Sequence, residues 1–460
     1  MTGKGDDVSH LTDFFEFGMF CRSGAQAGCA LNVKKTSVYY QPHFSEKIMK
    51  KRLLPFLVAA CALPASTVLE AGPVANKAES PERTQSSDTS ARSVMQNYAT
   101  RYENLIPIEG RCPSDYRLVQ IALLLDTSNS MDGLISQAKS QLWRIVNEMS
   151  RMQKRGEHIR LQVALYEYGN NSLPAATGYI RQVTPFTEDL DLLSEALFSL
   201  DTNGGSEYCG HAIGSSLNRL RWNESREGLR LIYIAGNEPF NQGAVNYEAA
   251  CRWAAERDIA VNTIYCGDYR TGVDTFWQRG AAIGRGGYFA IDSDRETTGI
   301  ITPYDNDLMV LNNRINGTYV PYGRLGRERQ VRQEKQDMNA AALAAPVAAE
   351  RAASKGSRLY QASDWDLVDA IEKKYTTVDR IDRSSLPEEL KAMSRKELDL
   401  HVQKKKQERE ELKKQIADLG RKRDAYVRQK ELEAAGSQSL GSAILKNLHI
   451  QAKARDFTFR

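Results

Sequence analysis

The chain has 460 residues, 41% hydrophobic and 26% charged, which is room for two or three domains with the composition of one large core and much solvated helix. A net charge of +4 over that length provides no basic surface of the kind that holds nucleic acid, so nucleic acid is set aside as a partner. Seven cysteines include four, Cys112, Cys209, Cys251 and Cys266, spaced too widely for a zinc ribbon or a CxxC redox pair. They can be disulfides of an oxidising compartment or buried thiols, and the spacing leaves both open.

Met49-Lys50-Lys51-Arg52 followed by Leu53–Ala62 has the basic start and short apolar stretch of a secretory signal. The stretch is too short, and Pro55 and Pro64 too disruptive, for a membrane-spanning helix. Residues 1–48 carry no such pattern and read as an upstream extension, with 49–71 as the signal peptide. Val58-Ala59-Ala60-Cys61 resembles a bacterial lipobox, which would place a lipid on Cys61; ordinary cleavage further on is the alternative. Either way the protein is expected to be exported, to the periplasm or envelope of a bacterium. Residues 72–112, rich in Ala, Ser, Thr, Glu and Pro, read as a linker.

From Tyr116 to Asp292 apolar strand patterns alternate with helical ones. Strands are expected at Leu118–Leu125, Ile159–Tyr168, Ile180–Val183, Leu229–Ala235, Ala260–Cys266 and Gly287–Ile291. Helices are expected at Gly133–Lys154, Leu190–Leu200, Gly210–Leu220, Ala244–Arg257 and Thr271–Gly284. Such alternation implies an α/β fold, a doubly wound and mainly parallel sheet with helices on both faces, over residues 113–296. Ile159–Tyr168 alternates best and is the expected antiparallel edge. Residues 297–362 read as a partly helical linker and 363–460 as a helical tail. Within the tail Leu398, Val402, Lys405, Arg409, Leu412, Ile416, Leu419, Arg423 and Tyr426 follow 4-3 spacing. The pattern fits a coiled coil, and hence an oligomer, but three of the nine positions are basic. A solvated helix or a hairpin against Leu440–Ile450 is therefore preferred.

The first strand ends in Asp126-Thr127-Ser128-Asn129-Ser130, at the edge of an open α/β sheet where ligands bind. One carboxylate and two hydroxyls are hard donors suited to a cation such as Mg²⁺. No Gly-x-Ser-x-Gly elbow is present, and His158 and His211 lack metal-pair spacing, so they read as ordinary surface or capping residues.

With the triplet stand Leu165-Tyr166-Glu167-Tyr168-Gly169, Val183-Thr184-Pro185-Phe186-Thr187, Gly204-Gly205-Ser206-Glu207 and Leu231-Ile232-Tyr233-Ile234-Ala235-Gly236-Asn237-Glu238-Pro239. In this order the region resembles a von Willebrand factor type A domain. The resemblance implies a metal-ion-dependent adhesion site holding Mg²⁺ (or Mn²⁺) on Asp126, Ser128, Ser130 and Ser206, Ser206 standing where the family has Thr. It also implies an Asp where this chain has Gly236, with Glu207 or Glu238 as substitutes. The function expected is a non-enzymatic, adhesion-type protein whose cation accepts a carboxylate from a protein partner. The alternatives are a metal-free envelope scaffold acting through its helical tail, and a regulatory subunit of an envelope enzyme.

Overall fold

The structure, a computed structural model, describes residues 95–96, 105, 113–294, 299–433 and 439–460. The 1–48 extension, the signal peptide with Cys61, Cys112 and most of the 72–112 linker lie outside the described residues. The α/β part comprises β1 (Leu118–Asp126), α1 (Asp132–Met149), β2 (Met152–Lys154), β3 (Glu157–His158), β4 (Arg160–Tyr168) and β5 (Ile180–Thr187). It continues with α2 (Leu190–Phe198), α3 (Cys209–Arg219), β6 (Leu229–Gly236), α4 (Tyr247–Glu256), β7 (Ala260–Cys266), α5 (Tyr269–Asp274), α6 (Trp277–Ile283) and β8 (Arg285–Ile291).

Six strands form one sheet in the order β5-β4-β1-β6-β7-β8, with every neighbouring pair parallel except β4 and β5. The antiparallel edge is thus β5, and the expectation for Ile159–Tyr168 is corrected. Residues 169–179 carry no crossover helix, and without one the chain can only turn back against its own strand. The alternation in β4 arises at its start, where Arg160 and Gln162 are polar side chains bonded to Glu188. Two expected helices also break. α1 stops at Met149 because Arg155 and Gly156, at φ 54° and 80°, form the turn of the β2–β3 hairpin. Thr271–Gly284 divides into α5 and α6 at Phe276, whose φ is 73°.

β1 shows why both faces must be covered. Val119, Ile121 and Leu125 enter one buried cluster with α1, while Ala122 and Leu124 enter the other with α3 and α4. Met95 and Leu105, inside the segment read as a linker, are buried in the second cluster, where a Cβ at Gly214 would lie 2.4 Å from Met95 Cε. Cys209, Cys251 and Cys266 are buried free thiols, not disulfides. His211 is also buried, at 1% exposure, so it is not a surface residue.

The remaining chain forms α7 (Asp305–Asn316), α8 (Gly326–Leu343), α9 (Ala345–Gly356), α10 (Leu367–Glu372), α11 (Arg395–Glu433), α12 (Leu440–Lys453) and β9 (Phe457–Phe459). The Ala-rich stretch Ala340–Ala353 is broken at Ala344, which is extended (φ −173°, ψ 155°) before Pro346 in the first turn of α9. α8 packs on α2, and α9 on α1, α7 and α8. Arg351 of α9 pairs with Asp191 of α2 (2.6 Å) and Asp337 of α8 (2.9 Å), with its guanidinium 4.4 Å from the Trp143 ring centre.

The 4-3 stripe of α11 is covered from within the chain, by α7, α9 and α10. Leu398, Val402, Leu412 and Ile416 are buried there. Two of its basic positions are buried ion-pair anchors: Arg409 meets Asp366 and Asp369 at 2.5 Å each, and Arg423 meets Asp305 at 2.8 Å and Glu350. α12 does not form the expected hairpin partner of this stripe. It lies on α1, β6 and β8, and places Leu440, Ala443, Ile444, Leu448 and Ala452 in the first core cluster. β9 then pairs with β2.

Ile444→Ala should therefore lower unfolding stability by roughly 2–5 kcal/mol, as for a core residue. A chemical-denaturation midpoint equal to wild type would mean that α12 is not part of the core. His211, held down to about 4 by burial, takes up its proton more easily in the unfolded chain, where its value is near 6.5. Stability should fall by roughly 3 kcal/mol as pH drops from 6.5 to 4. His211→Gln should flatten that decline.

Candidate metal centre

Asp126 is the last residue of the central strand and is fully buried, in register with Tyr168. The loop beyond it is stitched to two others. Thr127 donates from its backbone to the Tyr168 carbonyl (2.9 Å) and accepts from Asn203 N (2.9 Å). Asn129 N donates to Gly204 O (3.0 Å), and Gly204 N returns a bond to Asn129 Oδ1 (3.1 Å). Ser128 N donates to Asp126 Oδ1 (2.8 Å), the Ser128 and Ser130 hydroxyls lie 3.3 Å apart, and Asn237 Nδ2 donates to Ser130 Oγ (3.0 Å). Three loops, after β1, β6 and α2, thus converge at the carboxyl edge of the sheet.

Ser206 is in this group through its backbone, which bridges to Gly169, and its hydroxyl has no hydrogen bond among the described residues. The side chain brought against Asp126 is its neighbour Glu207, 3% exposed. Gly169, at φ +83°, makes the approach possible. A Cβ there would lie 2.7 Å from Asp126 Oδ1 and 2.8 Å from Glu207 Cγ.

Burial raises the pKa of both carboxyls, and Glu207 is raised further by the charge of Asp126 and by their mutual hydrogen bond. Glu238 adds like charge to both. Asp126 Oδ2, Glu207 Oε2 and Asn237 Oδ1 are all buried without a hydrogen-bond partner. With both carboxyls ionised, as a bound cation would hold them, all three are acceptors. A buried acceptor without a donor is costly, and what such a set lacks is a positive species.

Gly236, where the resemblance implies an Asp, is closed to a side chain. Its Cβ would lie 2.5 Å from the Tyr168 hydroxyl and 2.9 Å from Asp126 Oδ2. That hydroxyl is fixed by donation to Ala235 O (2.9 Å). Among the described residues no three His, Cys, Asp or Glu side chains form a metal cluster, so the acidic donors are two, Asp126 and Glu207, with hydroxyls beside them. The Glu207 contact depends on how the loop folds back; its one signal in the sequence is an acid directly after Gly204-Gly205-Ser206.

The sheet order, the single antiparallel edge strand and the Asp126–Ser130 loop at the end of a central strand make a doubly wound, mainly parallel α/β fold. It is the fold that the resemblance to a von Willebrand factor type A domain implies. No family model matches the chain, and no curated protein matches it. Among solved structures, the chain is similar to the conserved hypothetical protein BatB from Bacteroides thetaiotaomicron at 19% identity, covering 38% of this chain and 90% of that one, with a TM-score of 0.29. The SpRpn10 VWA domain matches at 14% identity over 40% of this chain and all of that one (TM-score 0.31). The vWF domain of the type V pili tip protein Mfa5 from Porphyromonas gingivalis matches at 12% identity over 40% of this chain and 90% of that one (TM-score 0.28). Among the described residues no helix is long and apolar enough to cross a membrane.

Because Tyr168 occupies the space, Gly236→Asp should destabilise the type A domain by roughly 1–3 kcal/mol. Adding Tyr168→Phe should recover part of the loss. A Gly236→Asp protein as stable as wild type would show that the space is open.

Proposed function

We propose that this is an exported, non-enzymatic binding protein of the adhesion type, which holds a divalent cation at the Asp126–Ser130 loop and offers it to an acidic side chain of a protein partner. The observation carrying the proposal is the facing of two buried carboxyls, each with an unpartnered oxygen, beside the hydroxyls of Ser128 and Ser130. Mg²⁺ or Mn²⁺ suits such a set of oxygen donors. When bound it would supply an open position for the partner's carboxylate. Asp126 and Glu207 would provide the negative charge, Ser128 and Ser130 the hydroxyl donors, and Asn237 would position Ser130. Ser206 joins the set only if its hydroxyl turns inward. Export rests on the Met49–Ala62 pattern, with lipid on Cys61 as its membrane-anchoring variant.

A metal-free scaffold is the second reading. It is favoured by Gly236 and Tyr168, which remove the family's second carboxylate and fill its place.

Thermal unfolding of the full chain in EDTA, Mg²⁺ and Mn²⁺ separates the two. With two carboxylates, weak binding is expected, roughly 10⁻⁴ to 10⁻³ M by analogy with weak hard-cation sites. A ligand of the folded state at about one to ten times its dissociation constant adds roughly 0.4–1.4 kcal/mol. Millimolar cation should thus raise the midpoint by about a degree or two, Asp126→Ala should abolish the rise, and Glu207→Gln should reduce it. Partner capture should be lost in EDTA. An unchanged midpoint in wild type would leave the scaffold reading in first place.

A further inference from the structure

The helical extension holds a cleft of about 620 Å³ that the type A site does not use. It opens between the 317–325 segment, the start of α8, residues 385–390 and the first turns of α11. A volume of this size is that of a small-molecule site. One wall carries Arg324, Arg327, His401 and Lys405, and the rim carries Glu388 and Glu389.

The cations on this wall differ from the buried arginines of this chain. The buried arginines 351, 409 and 423 each meet two carboxylates. Arg324, by contrast, has no hydrogen bond or ion pair among the described residues. Arg327 donates to the neutral Gln330 (2.8 Å). Lys405 donates to the Gly317 carbonyl (2.8 Å), with Glu408 no nearer than 3.8 Å. Burial, reinforced by Lys405 and Lys404, holds His401 below its usual value. On the rim, Glu388 is taken up by Lys391 at 2.6 Å. The wall therefore keeps Arg324 and Arg327 without an ion pair among the described residues, while Lys405 has Glu408 at 3.8 Å and Glu389 acts on His401.

The cleft is also preformed. Val320 N donates to Asp366 Oδ1 (2.7 Å), Tyr322 N to the Trp365 carbonyl (2.9 Å) and Gly323 N to Ser385 Oγ (3.1 Å). These bonds fix the 317–325 wall against the rest of the extension before any ligand arrives. Its base is apolar, with Val320, Leu386 and Leu390 buried. A fixed apolar floor under unpaired guanidinium groups suits a ligand with an apolar body and an oxyanion at one end, because arginine forks match carboxylate and phosphate geometry.

We propose that this cleft binds a small organic oxyanion, its carboxylate or phosphate group held by Arg324, Arg327 and Lys405. The site is independent of the cation at Asp126.

Calorimetric titration of the full chain in EDTA tests it, with phenylphosphate and phenylacetate as probes and inorganic phosphate as the bare anion. At least one aromatic probe should bind, at least tenfold more tightly than inorganic phosphate, and the phosphate or carboxylate arm that binds better identifies the head group. The Arg324→Ala/Arg327→Ala variant alters exposed side chains and should fold with wild-type circular dichroism. It should bind at least tenfold more weakly, while Asp126→Ala binds as wild type does. No heat with either aromatic probe would overturn the proposal. So would equal affinity for inorganic phosphate, or undiminished binding in the double variant. Retained binding in Asp126→Ala separates this outcome from any failure at the cation site.

Discussion

An open sheet cannot leave a large apolar face to water, and in this chain the last part of that cover arrives late. On the side of β1 that faces α1, the sheet is completed by α12, whose Leu440, Ile444 and Leu448 join Tyr233 and Ile264 in one cluster. The α/β part ends at Ile291 and α12 begins at Leu440, so everything between them has to leave the sheet and return. Helix α11, with 39 residues, spans roughly 58 Å at about 1.5 Å per residue. It is the long member of that return path. Its fixing points are ionic as well as apolar, because the helices it crosses present Asp305, Glu350, Asp366 and Asp369 from their own buried faces. Removing one partner of such a pair leaves a buried charge uncompensated, which costs more than the intact pair contributes.

The same central strand sets the chemistry of the site. A carboxylate placed at the end of a strand buried along almost its whole length is dehydrated by the fold itself, and burial is the largest influence on both Asp126 and Glu207. The second acid reaches it from the loop after α2, across Gly169, instead of from β6. The two glycines at the site have opposite consequences: Gly169 admits a carboxyl, and Gly236 makes room for a phenol.

Much of this was legible in the sequence wherever the signal was local. The Asp126–Ser130 loop follows a continuous aliphatic run, and Ala260–Cys266 is a strand with the expected bounds, because buried parallel strands have few other ways to appear. Signals that depend on distant contacts were not legible. Arg409 and Arg423 argue against a packed seam when read alone, and they reverse meaning only when their carboxylates are known. Tyr168 belongs to an ordinary strand pattern, and nothing in its neighbours says that its hydroxyl ends beside Gly236. The hairpin partner assigned to α11 failed for the same reason: Leu440–Ile450 is amphipathic, but periodicity does not say which apolar surface it meets. Met95 and Leu105 sit in a stretch of linker composition, where two buried side chains leave no periodic trace.

The order of the elements bears on how the chain is made. Synthesis delivers β6, β7 and β8 well before α12, and the helices that bridge the interval must first be laid down. A nascent chain therefore carries an incomplete apolar sheet through much of its elongation, and its contacts of greatest sequence separation are the ones that close last. The apolar face on the α1 side is closed only when the last helix has been made.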